Sequence, residues 1–254
     1  MGFSMYEPRF YRHWIKDSDL VSFSVVVKQT DLYIRARYNL KDKAFKSVLK
    51  HRIPLEKYIG QHPIFLTTLE PYQAEAEAPA IVKEMSRVSQ IVGVGPMAAV
   101  AGAIAEAVGR DLLPFSPEVI VENGGDIFLK TSKKRLVGIY AGQSPFTGRI
   151  ALEINPRETP LGICTSSGTV GHSLSLGFAD AVIALSPSTP LADAMATCIG
   201  NMVKDTDDIP KAIQQAQGIE GLHGIVIIKG DKIGIWGKVK IVPLRHPTSG
   251  SIRP

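Results

Sequence analysis

Between Glu118 and Leu185 the chain writes six strand-like runs with no helical pattern among them: Glu118-Val-Ile-Val121, Asp126-Ile-Phe-Leu-Lys130, Leu136-Val-Gly-Ile-Tyr140, Ile150-Ala-Leu-Glu-Ile154, Gly162-Ile-Cys-Thr165 and Ala181-Val-Ile-Ala-Leu185. Strands joined by short connections pair antiparallel, whereas a parallel pair needs a crossover of a dozen or more residues, usually a helix. Strands and helices therefore come in clusters and do not alternate strictly, which favours an α+β fold over a doubly wound sheet. Mostly antiparallel sheets packed with helices are expected.

The rest of the chain fits that frame. Val21–Val27 and Leu32–Tyr38 flank a polar turn, Lys28-Gln-Thr-Asp31, and the second run alternates Leu32, Ile34 and Ala36 with Tyr33, Arg35 and Arg37, as a half-buried strand does. Residues 41–60 carry apolar positions at helical spacing, with Pro54 expected to divide the stretch. Further helices are expected over 78–90, from Pro96 to about Gly109, and over 190–204 and 209–217. Pro96 suits the first helical position, and the small residues of Met97–Val108 let that backbone press close to a sheet. Three closing strands are expected at 224–228, 232–236 and 239–242. No linker separates two units, so 1–242 reads as one domain and 243–254 as a loose C-terminal tail.

The 254 residues are 44% hydrophobic, enough for a substantial core. The excess of 29 Lys and Arg over 24 Asp and Glu is mild, and no Arg-rich arm or aromatic-interleaved basic motif accompanies it, so no nucleic-acid partner is expected. The longest uncharged stretch, Val88–Ala105, contains Pro96 and falls short of the roughly 20 apolar residues of a spanning helix, so no membrane partner is expected either. Cys164 and Cys198 form no paired motif and read as buried small hydrophobes. With no apolar leader at the start, the chain reads as cytoplasmic.

Four segments carry candidate chemistry. Asp193 and Thr197 are four apart in Leu191-Ala-Asp-Ala-Met-Ala-Thr-Cys198, so on a helix they share a face and offer two hard oxygen ligands to Mg²⁺ or Ca²⁺. The same Asp193 near the first turn of that helix also suits the helix dipole. Glu122-Asn-Gly-Gly-Asp126 reads as a hairpin turn, yet it holds two carboxylates and an amide that a turn does not require. Gly162-Ile-Cys-Thr-Ser-Ser-Gly-Thr169 ends a strand in hydroxyls and glycine, which suit phosphate or ribose oxygens as well as a plain polar loop. His172 follows in a Gly-flanked loop, where its near-neutral pKa suits proton transfer. A serine-hydrolase reading fails because G-x-S-x-G is absent. Gly93-Val-Gly-Pro-Met-Ala98 matches G-x-G-x-x-A, but what precedes it looks helical, so an NAD-binding reading ranks last.

The order of these pieces resembles the ApbE family, the FAD:protein FMN transferases once called thiamine-biosynthesis lipoproteins, and looks closest to a cytoplasmic branch beside that family. The resemblance rests on the small-residue helix after the Gly turn, Asn123-Gly-Gly-Asp126, Cys164-Thr-Ser-Ser-Gly168 and Ser186-Pro-Ser-Thr-x-Leu-Ala-Asp-Ala-x-Ala-Thr197, covering about 90–204. It implies that Asp193 and Thr197 bind Mg²⁺ with a backbone carbonyl of Pro96 or Met97. It also implies that Asn123, Gly124, Gly125, Asp126, Thr165, Ser166 and Gly168 line an FAD site, with His172 standing in for the family's histidine. The implied reaction is transfer of FMN, or another nucleotidyl group, from a small-molecule flavin or nucleotide. Three features depart from the family: no lysine occurs in Pro96-Met-Ala-Ala99, the histidine segment is shortened to Gly171–Gly177 without its Asp-Pro, and no lipobox cysteine is found. The rival reading is a non-catalytic ligand-binding or interaction protein that keeps the fold without the reaction. Whether a homo-oligomer fills the shortened loop is not decided by the sequence.

Overall fold

The computed structural model describes residues 18–168 and 177–244. Its first hairpin joins β1 (Val21–Val27) to β2 (Thr30–Ala36). Val27 pairs with Thr30 and Val26 with Asp31, so the turn is two residues, not the four expected from polarity, with Lys28 at φ 52°. Three helices follow, α1 (Lys41–Gln61), α2 (Ile64–Thr67) and α3 (Ala80–Val92), and a 3₁₀ turn at Pro96–Ala99 leads into α4 (Val100–Leu112). The long β run then unfolds as β3 (Val119–Asn123), β4 (Asp126–Lys130), β5 (Arg135–Gly138), β6 (Ile150–Ile154), β7 (Leu161–Ser166) and β8 (Ala181–Ser186). After it come α5 (Thr189–Met202), α6 (Ile209–Gln217), β9 (Gly224–Lys229), β10 (Lys232–Gly237) and β11 (Ile241–Pro243).

The strands form two antiparallel sheets, as the α+β expectation requires. One has eight strands in the order β1-β2-β3-β4-β7-β8-β9-β10, the other three in the order β11-β6-β5. Helices cover one face of the large sheet and the small sheet covers the other. β8 shows why its sequence does not alternate: Val182 and Ala184 face the helices, while Ala181, Ile183 and Leu185 face the small sheet. A strand buried on both faces reads as a continuous apolar run.

The small-residue helix does press against the sheet. A β-carbon on Gly109 of α4 would overlap the ring of Phe128 on β4. Two expectations need correction and a third reading is borne out. Pro54 does not divide its helix: α1 runs through it, with Val48 before it and Leu55 and Tyr58 after it all buried. The lost hydrogen bond and ring clash cost about 3 kcal/mol, and packing on both sides of the proline outweighs them. The tail does not begin at 243, because Pro243 pairs with Ile150 and the Leu244 N–H donates to the Arg149 carbonyl; 245–254 lie outside the described residues. Finally, the G-x-G segment follows a helix, with Gly93 at φ 81° capping α3. A dinucleotide fingerprint needs a strand there, so the NAD reading fails.

The far end of β3 is tied to β5 by a buried ion network. Glu118, fully buried, accepts from Arg135 Nη2 at 2.7 Å, Thr131 Oγ1 at 2.7 Å and Ser132 Oγ at 2.8 Å, and meets Arg37 at 3.0 Å. Burial alone raises its pKa, but the hydrogen bonds from Arg135, Thr131 and Ser132 outweigh that and bring it from an ordinary 4.5 to about 2. A carboxylate depressed on folding contributes stability above its unfolded pKa and loses it as pH falls toward the folded value. We predict that the stability gap between the wild type and Glu118→Gln, measured by urea unfolding, is full above pH 4.5 and closes toward pH 2. A gap that stays constant with pH overturns this assignment.

Candidate functional site

α5 starts where several signals converge. Ser188 caps it, accepting from the Leu191 N–H, and Pro190 stands in the first turn. The Thr189 N–H donates to Glu106 Oε2 of α4 at 2.7 Å, an acid at a helix N-terminus supplied by a neighbouring helix. Ten of the fourteen residues of α5 are buried, which leaves its polar side chains few routes to water.

Asp193 is one of them. It is 8% exposed, lies in the second turn of α5, and its Oδ2 accepts from the Gly102 N–H at 2.8 Å. The dipole that favours its charge is thus that of α4, whose N-terminus it caps, and not that of its own helix. Close approach here depends on a missing side chain, since a β-carbon on Gly102 would stand 2.7 Å from the Thr189 carbonyl oxygen and 2.9 Å from Asp193 Cβ. Asn123 holds the same turn of α4 from the other side, its Nδ2 donating to the Ala101 carbonyl at 3.1 Å. The backbone N–H groups that reach Asp193 are thus those of Ala101 and Gly102.

The Gly-Gly bend is a true two-residue hairpin turn: Asn123 pairs with Asp126 across Gly124 (φ 70°) and Gly125 (φ 111°). Its backbone lies against β7, with the Thr165 carbonyl 3.8 Å from a β-carbon built on Gly125. Asp126, 8% exposed, opens β4 within electrostatic reach of Asp193 and Cys164. Burial first, and the Asp126 charge second, push the Asp193 carboxyl well up, while the N–H groups of Gly102 and Ala101 oppose the rise. Burial and both carboxylates likewise raise the Cys164 thiol, whose Sγ donates to the Thr189 carbonyl at 3.4 Å. A thiol in that setting is a packing group and no nucleophile.

Thr165 and buried Ser166 end β7, and Gly168 donates its N–H to the Ala179 carbonyl at 3.0 Å. Three glycines stack beside them. A β-carbon on Gly168 would overlap the Gly177 carbonyl, one on Gly177 would overlap the Gly200 carbonyl of α5, and one on Gly200 would stand 3.2 Å from Ser166 Oγ. The end of β7 is thereby drawn against the last turn of α5, one turn beyond half-buried Thr197. Asp193, Thr197, the Asn123–Asp126 bend and the Thr165–Gly168 segment thus gather at one end of β4 and β7. His172 lies outside the described residues. Glu106, Gly102 and Gly200 were not read from sequence; Glu106 and Gly102 share an i,i+4 face of α4, but nothing local signals partners more than 80 residues away.

What this site offers a cation is a set of hard oxygens: the carboxylates of Asp126 and Asp193, the Thr197 hydroxyl and backbone carbonyls. That chemistry suits Mg²⁺ and does not suit zinc. Among the described residues no cluster of three or more His, Cys, Asp or Glu side chains is placed to hold a metal. A separate cleft of about 270 Å³ opens at the opposite end of β7 and β8, lined among others by Leu161, Leu185, His223, Lys238 and Lys240. None of the described candidate residues lines it. No single helix among the described residues is long and apolar enough to cross a membrane.

An eight-stranded antiparallel sheet with helices on one face and a small sheet on the other is a fold shared with ApbE proteins of known structure. The flavin transferase ApbE of Vibrio cholerae superposes with a TM-score of 0.54 at 14% identity, covering 86% of this chain and 96% of that one. The ApbE protein of Thermotoga maritima gives 0.61 at 11% identity, with 85% and 96% covered. At such identities the likeness shows the fold alone. Residues 12–233 match the family model described as AbpE bacteria, and the chain belongs to that ApbE-like family. Its relatives include UPF0280 proteins of methanogenic archaea: that of Methanocaldococcus jannaschii is 40% identical over 221 residues (85% of this chain, 90% of the relative), and that of Methanopyrus kandleri 42% over 243 (92% and 97%).

Gly102→Ala is predicted to destabilise the protein by about 1–3 kcal/mol, because its methyl group forces α4 off α5. Urea denaturation measures this, and a change under 0.5 kcal/mol refutes the close-contact account.

Proposed function

We propose that this protein binds FAD, or a related nucleotide carrying a diphosphate, together with Mg²⁺, and that it acts as a flavin or nucleotidyl transferase. The observation that carries the reading is the meeting of Asp193 and Asp126, two buried carboxylates, beside a glycine bend and the N-terminal turn of α4. Two buried carboxyls this close hold a proton between them unless a cation takes its place. Asp193 and Thr197, one helical turn apart, would hold the cation with Asp126 facing them. A bound Mg²⁺ supplies neutralisation of phosphate charge.

The chain's own groups do the rest. The Gly124–Gly125 bend carries no side chains, so a ligand's phosphates approach the backbone directly. Thr165 and Ser166 add hydroxyl donors at the end of β7, and Gly168 keeps that wall thin. His172, eight-residue neighbour of Cys164 in sequence, is the candidate for proton transfer at the acceptor hydroxyl. A second reading keeps binding without turnover. It is favoured by the missing lysine in Pro96–Ala99 and the shortened Gly171–Gly177 segment.

Asp193→Ala is predicted to abolish any Mg²⁺-dependent thermal stabilisation by FAD; an undiminished shift removes Asp193 from the site. His172→Ala is predicted to lower transfer of FMN to an acceptor by at least about 100-fold while leaving FAD affinity unchanged, the magnitude expected for losing a general base. Full retention of turnover by this variant denies the histidine a catalytic part, and FAD binding with no turnover in the wild type selects the second reading.

A further inference from the structure

Phe178 is 58% exposed, a large apolar ring left in water. Single exposed apolar side chains are ordinary on a protein surface. This one is distinguished by its place and by how it is held. A β-carbon on Gly168 would stand 3.1 Å from Phe178 Cα, so Phe178 sits directly against the glycine that closes the Thr165–Gly168 segment. Its preceding residue, Gly177, touches the Gly200 carbonyl of α5, and Gly200 lies three residues, about 4.5 Å of helix rise, beyond Thr197.

The backbone of Phe178 is fixed on both sides. Its N–H donates to the Val203 carbonyl at 2.9 Å, and its carbonyl accepts from Lys229 Nζ at 2.6 Å. The next residues continue the tether, with the Ala179 carbonyl accepting from Gly168 and the Asp180 N–H donating to the Ile228 carbonyl at 3.0 Å. An aromatic side chain with two rotatable bonds on a backbone pinned this way loses little further freedom when a ring stacks on it. Every heteroaromatic base presents a π-face, and stacking on a protein ring adds affinity without requiring hydrogen-bond readout.

We propose that Phe178 is a stacking platform for the planar heteroaromatic ring of the ligand, placed at the rim of the cradle that takes its diphosphate. The assignment rests on the nucleotide-binding reading above and adds to it the residue that recognises the planar ring, separately from the groups that take the diphosphate. Phe178 contributes affinity for the ring and none for the phosphates, so the two halves of the ligand are recognised by separable parts of the site.

Titration calorimetry in the presence of Mg²⁺, with FAD and with inorganic pyrophosphate as probes, tests this. Phe178→Ala is expected to weaken FAD by about 5- to 100-fold, the range measured for loss of one base–aromatic stack, and to leave pyrophosphate affinity unchanged. Phe178→Leu, which keeps apolar bulk without the ring face, is expected to lose affinity as the alanine variant does, and Phe178→Trp to retain it. Unchanged FAD affinity in Phe178→Ala overturns the proposal, as does an equal loss for FAD and pyrophosphate, which would mean that the cradle itself had shifted. If the wild type binds pyrophosphate but FAD no more tightly, the platform role alone fails. If it binds neither probe, the diphosphate reading fails and the role of Phe178 with it.

Discussion

The hydrogen bond from the Gly102 N–H to the Asp193 carboxylate fixes the relation between α4 and α5, on which the rest of the site depends. It ties residues 91 apart in sequence, and it satisfies a backbone donor that the first turn of any helix leaves open. The absence of a side chain at Gly102 lets the helices come this close, and the Glu106–Thr189 bond, one turn further along α4, holds them in the same relation. Asp193 therefore serves as a helix cap whether or not anything else is bound. A carboxylate kept in place for structural reasons is also one whose position a ligand need not pay to organise.

The large sheet supplies the second coordinate. β4 and β7 are buried neighbours, so the bend that opens β4 and the hydroxyls that end β7 fall side by side at one edge of the core. Helices pack over the face bearing Cys164 and Val182, and the small sheet covers the face bearing Ile163 and Ile183. With both faces covered, the strand ends are where polar backbone and side chains can meet a ligand without disturbing the core. The Glu118–Arg135 network occupies the other end of the same strands, and the two polar clusters are kept apart by the apolar middle of the sheet.

Much of this was legible in the chain because local pattern and global fold agree. Strand spans followed from alternation and from apolar runs between turn residues, and the helix that carries Asp193 and Thr197 followed from its Ser186–Pro190 start. What was not legible depends on partners distant in sequence. Pro54 lies inside a helix because Val48, Leu55 and Tyr58 pack on either side of it, which no local propensity reports. The spacing of Asp193 suggested a ligand shared with Thr197 or a charge suited to its own helix, and its backbone partner across the interface with α4 has no local signal. The short first turn was hidden by the polarity of Thr30 and Asp31, two strand residues that are both buried. Phe178 gave no signal at all: its meaning comes from Gly168 and Val203, which only the folded chain brings beside it.

The contact between Gly168 and Gly177 means that the chain leaves the end of β7 and returns to the body of the protein at nearly the same point. A segment that starts and finishes at one place can be lengthened or trimmed without displacing either neighbour, and the entropy of closing it grows only slowly with its length. Evolution can thus exchange what stands between these two glycines as a cassette. A change of length there leaves the sheet and the α4–α5 pair where they are.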